Sequence, residues 1–176
     1  MRRDVYRLVD QGIVGLSGFT PTDAAHVLGL HTAWSRQAAE LGARLWLRSD
    51  GDSGSDEAIE TLSRRVREQA VLQSCQAAIA TALAEFHGVR LADHQDLQEA
   101  VIDPALGADR PQAPMVQATF SLRTPIIAIG APVRTYYPDV ARRLGTELVV
   151  PHHAEIANAI GAVAGGVTQR VHVLIR

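Results

Sequence analysis

Apolar positions recur every three or four residues through the first half of the chain and form short unbroken runs only in the second. The first pattern predicts helices with one buried stripe, the second buried strands. Val5, Leu8 and Val9 predict a helix over residues 4–11, with Gly12 placed to end it. Beyond the apolar stretch from Ile13 to Leu16, Thr20-Pro-Thr-Asp23 reads as a helix start. Thr20 suits the N-cap, Pro21 the first helical position and Asp23 the capping-box acid, whose charge also complements the helix dipole. This helix is expected to run through Ala24, Ala25, Val27 and Leu28 and to end near Gly29. The next is predicted from about Thr32, because Trp34, Ala38, Leu41 and Leu45 share one face at a 3.6 period. Asp50 to Ser55 is a polar, glycine-containing loop. From Asp56 to Phe86 no Gly or Pro interrupts the chain, which predicts one helix roughly 45 Å long. Its stripe reads Ile59, Leu62 and Val66, then Leu72, Ile79, Leu83 and Phe86, with Cys75 or Gln76 between.

Residues 88–114, punctuated by Pro104, Pro111 and Pro114, read as a loop-rich connection with one short helix. From Met115 the pattern changes. Ile126 to Ile129 is expected to be a buried parallel strand, turned by Gly130-Ala-Pro132 into a helix over Tyr136–Leu144 that Gly145 closes. Glu147 to Val150 is predicted as a second strand ending at Pro151, then a helix over His153–Ala164 and a last strand over Val171–Ile175. A strand–helix–strand unit favours a parallel pair joined by a right-handed crossover. The expected fold class is α/β, helix-rich, with a short partly parallel sheet and one long helix. Residues 1–88 would be its mainly helical part, 115–176 its α/β part, and 1–176 a single lobe.

Composition narrows the function classes. A formal net charge of −2 supplies no basic field for nucleic acid or an anionic membrane surface. Cys75 is the only cysteine, which excludes a disulfide framework and a cysteine-based zinc site within the chain. The charged N-terminal segment does not read as a signal peptide, and no stretch of roughly 18 apolar residues is present to span a membrane. A cytoplasmic location is the expectation. Aromatic residues make up only 5% and Ala is plentiful, so closely approaching helices with Leu, Ile and Val in the core are expected.

Candidate chemistry is sparse. Ile129-Gly-Ala-Pro132 follows an apolar strand and precedes a helix, where ligands bind in open α/β sheets and where glycine lets a backbone approach a nucleotide. A glycine after a buried strand more often makes only a turn. His152, His153 and Glu155 invite a metal reading, but adjacent histidines point apart and no second ligand cluster exists. A helix start, with Glu155 in the first turn, accounts for them, and no metal site is expected. Thr20, Thr22 and Asp23 could touch a phosphate or a cation, and the capping box explains all three. His26, His31, His87 and His94 show no joint spacing and are expected at the surface or at helix ends. Ser17 lacks the glycine spacing of a nucleophile elbow, and neither a Walker A sequence nor G-x-G-x-x-G occurs.

Two segments together resemble a family. Gly18-Phe-Thr-Pro-Thr-Asp-Ala-Ala-His-Val-Leu-Gly29 is similar to the Thr-x-Thr-Asp-Ala…Leu-Gly segment of hydantoinase A/oxoprolinase proteins. Pro125-Ile-Ile-Ala-Ile-Gly-Ala-Pro132, Val140-Ala-Arg-Arg-Leu-Gly145, Leu148-Val-Val-Pro151 and Ala154-Glu-Ile-Ala-Asn-Ala-Ile-Gly-Ala162 resemble the end of that family's ATPase domain. The resemblance spans most of residues 12–165. It implies the ribonuclease H-like architecture of actin, sugar kinases and heat-shock-protein ATPases, and ATP-dependent opening of a cyclic amide such as a hydantoin or 5-oxoproline. Gly130 and Ala131 would then lie beside the adenosine of ATP, with Asn158 and Asp23 as further candidates for the cleft. The family usually has a second glycine where this chain has Ala131. Its N-terminal Asp-x-Gly-Gly-Thr phosphate loop is absent here, so the chain is expected to be a fragment supplying one nucleotide-binding lobe. Most contacts to phosphate and magnesium would come from a missing N-terminal lobe or partner subunit. Apolar surface left by that lobe could make the chain a homo-oligomer. The alternative is a noncatalytic interaction or regulatory module that retains the lobe fold.

Overall fold

The computed structural model describes residues 2–13, 15, 17–107 and 118–165, in two compact units, Met1–Thr119 and Phe120–Arg176. In the first unit, helix α1 (Arg2–Asp10) stops where Gly12 turns to a φ of +69°. The amides of Gly12 and Ile13 then return to the carbonyls of Val9 and Leu8. Helix α2 (Pro21–Val27) starts as predicted: Thr20 Oγ1 accepts from the Asp23 amide, and Asp23 Oδ2 accepts from the Thr20 amide at 2.9 Å. Helix α3 (Arg36–Ser49) is capped by Ser35, and helix α4 (Asp56–His87) by Ser55, with Asp56 and Glu57 at the positive end of its dipole. Gly88, at φ +64°, ends α4 in the left-handed region.

Thr20→Ala is expected to lower stability by about 1 kcal/mol, read as a drop in melting temperature. Because Thr20 and Asp23 serve one box, Thr20→Ala with Asp23→Ala should cost less than the sum of the two single changes.

The core of this unit gathers Val27 of α2, Ala39, Ala43 and Leu47 of α3, and Ile59 and Leu62 of α4. The face of α3 foreseen as buried is the outer one. Trp34, 70% exposed, precedes the helix, and Leu41 and Leu45 point to solvent at 52% and 71%. Ala39, Ala43 and Leu47 form the seam of α3 instead, the two small residues next to Val27 and Ile59 in one close-packed cluster. In α4 the buried stripe continues through Val71, Cys75 and Ile79, while Phe86 is exposed. Arg44 ties α3 to the next helix start, donating from Nε to the Gly54 carbonyl at 3.0 Å and from Nη2 to Asp56 at 2.8 Å. A Cβ on Gly54 would stand 2.8 Å from Arg44 Cγ, and its φ of +68° also favours glycine.

The connection after α4 is more helical than its prolines suggest. A 3₁₀ turn (Leu91–Asp93) leads into α5 (Gln95–Leu97), a π-helical segment (Gln98–Ile102) and α6 (Asp103–Leu106). Pro104 has no amide to donate, and widening the turn lets the Asp103 amide reach the Gln98 carbonyl five residues back. Gln76 Nε2 donates to Asp103 Oδ1 at 2.6 Å, fastening α6 to α4.

In the second unit, β1 (Ile126–Ile127) and β2 (Leu148–Val149) pair in parallel, Ile126 opposite Leu148 and Ile127 opposite Val149. Both are shorter than the predicted strands. Helix α7 (Val133–Arg143) connects them, beginning a turn earlier than predicted and accommodating Pro138 inside it. A 3₁₀ turn (Ala154–Ile156) precedes α8 (Ala157–Ala164). Ala128, Val133 and Ala154 form the core beneath the sheet, with Tyr137, Leu148 and Val150 packed on it. The expectation of a strand buried on both faces fails here: Ile127 is 66% exposed, and its partner across the sheet, Val149, and Ile129 beyond the strand also face solvent. A two-stranded sheet with its core on one side leaves the alternate side chains bare. The strand predicted over 171–175 lies outside the described residues.

Candidate functional site

The carboxyl ends of β1 and β2 open into two neighbouring loops, Ile129–Pro132 and Pro151–His153. The first is fastened to the 3₁₀ turn that follows the second by the Gly130 amide, which donates to the Ala154 carbonyl at 2.7 Å. Gly130 has a φ of +121°, a conformation essentially reserved for glycine. A Cβ there would meet only Val133 Cγ1 at 3.8 Å, so backbone conformation, not crowding, demands the glycine. Ala131 is exposed, and Pro132 stands at the N-terminus of α7 without a side-chain cap. Beside them the exposed side chain of Ile129 provides an apolar shelf.

The second loop carries His153 at φ +60°, the one non-glycine residue with positive φ among those described. The rings of His152 and His153 meet edge to face at 4.7 Å, and His153 Nδ1 lies 3.9 Å from Glu155 Oε1, with both side chains more than half exposed. Among the described residues no group of three or more His, Cys, Asp or Glu is placed to hold a metal ion. Asn158 is exposed on α8, about one turn beyond Ala154. Gly130, Ala131 and Asn158 therefore all belong to the second unit. Asp23 belongs to the first, where its Oδ2 accepts from both the amide and the hydroxyl of Thr20, the latter at 2.6 Å.

The first unit has a cleft of about 740 Å³ among α2, α3 and α4, with Val27 and Ile59 in its wall. Its charged rim is partly self-satisfied, Arg36 pairing with Glu40 and Arg64 with Glu60 one turn away on the same helix. The feature that the sequence hid lies beside it. His26 sits at a helix end, in the last turn of α2, but is buried there, with Nδ1 2.8 Å from the Thr22 carbonyl and Nε2 accepting from the Trp34 amide at 2.9 Å. Only the first contact, at i−4 on a helix, leaves a trace in sequence. The second comes from a loop eight residues on.

No family model, curated protein or solved structure matches the chain. Among the described residues no helix is long and apolar enough to cross a membrane.

Proposed function

We propose that this chain supplies a nucleotide-binding lobe to a cytoplasmic, ATP-dependent hydrolase of the hydantoinase/oxoprolinase type. The observation that supports the reading is the parallel β1–α7–β2 unit with a positive-φ glycine at the carboxyl end of its first strand. Adenosine would rest on Ile129 and against the backbone of Gly130 and Ala131, with Asn158 of α8 at the rim. The two loops contain no Lys or Arg. Phosphates and magnesium would therefore be held chiefly by a second lobe or a partner subunit. Opening a cyclic amide by phosphoanhydride cleavage needs positioning and charge stabilisation on both sides of the nucleotide, so the chain alone would bind and not turn over.

One observation favours the second reading, a noncatalytic interaction module. The Gly130 amide is already committed to Ala154, which removes one donor from a ligand. Calorimetric titration with ATP and ADP separates the two. Binding that disappears in Ala131→Trp, an exposed position where a large ring blocks the shelf without entering the core, supports the nucleotide lobe. Binding that survives Ala131→Trp, or no binding even when the chain is joined to a segment carrying the Asp-x-Gly-Gly-Thr loop, rejects it.

A further inference from the structure

We propose that His26 is a proton-operated latch on the loop between α2 and α3. The imidazole is held between two backbone groups: Nδ1 donates to the Thr22 carbonyl at 2.8 Å, and Nε2 accepts the Trp34 amide at 2.9 Å. That pair of bonds fixes one neutral tautomer. The Trp34 ring lies parallel to the imidazole, 2° between planes and 5.7 Å between centroids, and His31 meets His26 edge-on at 4.9 Å. One side chain of α2 thus ties down the far end of a loop whose middle contains no regular structure.

A second proton on Nε2 turns the acceptor into a donor and sets it against the Trp34 N–H. At 2% exposure the ring has almost no water to take over the lost bond. The Trp34 end of the loop then loses its bond to α2, while the Nδ1 bond within α2 and the amide bonds of Leu28, Gly29, Leu30 and His31 to α2 carbonyls remain. Arg36, two residues beyond Trp34, lines the 740 Å³ cleft, so release acts on the Arg36 side of that cleft, whereas Leu28 and Leu30 stay bonded to α2. Both ring nitrogens are occupied by backbone, so the other ionisable groups nearby act on His26 only through space. They are His31 in the loop, Asp23 on α2, Arg36 and Glu40 on α3, and Asp56, Glu60, Arg64, Arg67 and Glu68 on α4. Asp23 is engaged with Thr20, Arg36 with Glu40, and Glu60 with Arg64.

Long-range ¹⁵N–¹H correlation on the full chain tests the latch. At neutral pH His26 should show a protonated Nδ1 and a bare Nε2. On acidification, the hydrogen-exchange protection of the Trp34 amide, corrected for intrinsic rates, should fall roughly fivefold or more in step with the second proton on His26. Trp34 fluorescence, isolated by Trp46→Phe, should change in the same step, and His31→Gln should leave that step in place. His26→Phe keeps an aromatic ring and should remove the pH response. Three results overturn the proposal: an Nε2-protonated tautomer at neutral pH, a Trp34 response that follows His31, or Trp34 protection that stays flat while His26 takes up its proton.

Discussion

Leu144→Ala is expected to destabilise the second unit by about 2–5 kcal/mol, the largest effect of any single truncation there. Leu144 is fully buried at the end of α7, and its backbone is bonded on both sides. Its amide goes to Val140, and its carbonyl accepts from Leu122 at 2.9 Å. Around it lie Val140 and Ala141, also buried, while β1 and β2 contribute only two residues each. With so little alternative core, the removed methyl groups leave a cavity that small neighbours cannot close. Hydrogen exchange reports the outcome through amides bonded within this unit. Protection should fall at Ile126 and Ala128, which donate to Glu147 and Val149, and at Thr146, which donates to Ala141. Unchanged protection at those three amides would mean that the sheet does not depend on the α7 terminus.

The elements legible in sequence are those written in a few adjacent residues. Thr20, Pro21 and Asp23 fix a helix start because the cap, the preset φ and the returning carboxylate all act within one turn. The long α4 was legible because nothing from Asp56 to His87 interrupts it and Gly88 supplies the left-handed end. The parallel pair followed from two apolar runs separated by one helix length. What could not be read depends on partners far along the chain. Pro104 looked like a break, yet a wider turn accommodates it. The exposure of Ile127 and Val149 reflects a sheet covered on one face, which no local pattern encodes. Of the candidate site, the position of Gly130 at the carboxyl edge was legible and its φ of +121° agrees with the residue chosen there. The bond from its amide to Ala154 was not, because it joins residues on different sides of the sheet crossover.

Helix α3 provides the sharpest contrast between pattern and packing. Leucine and tryptophan dominate any hydrophobicity count, so Trp34, Leu41 and Leu45 seemed to mark the inner face. Ala39, Ala43 and Leu47 mark it instead, at 5%, 0% and 9% exposure, packed with Val27 of α2 and Ile59 and Leu62 of α4. Opposite responses on the two faces should therefore be measured. Ala43→Leu adds three heavy atoms to a filled seam against Val27 and Ile59, and should cost about 1–3 kcal/mol in overpacking. Leu45→Ser, on the outer face, should change stability by no more than about 0.5 kcal/mol. Chemical denaturation of both variants compares them directly, with the midpoint falling for the first and the slope unchanged in both. The reverse order, with Leu45→Ser the damaging change, would place the leucine face inside.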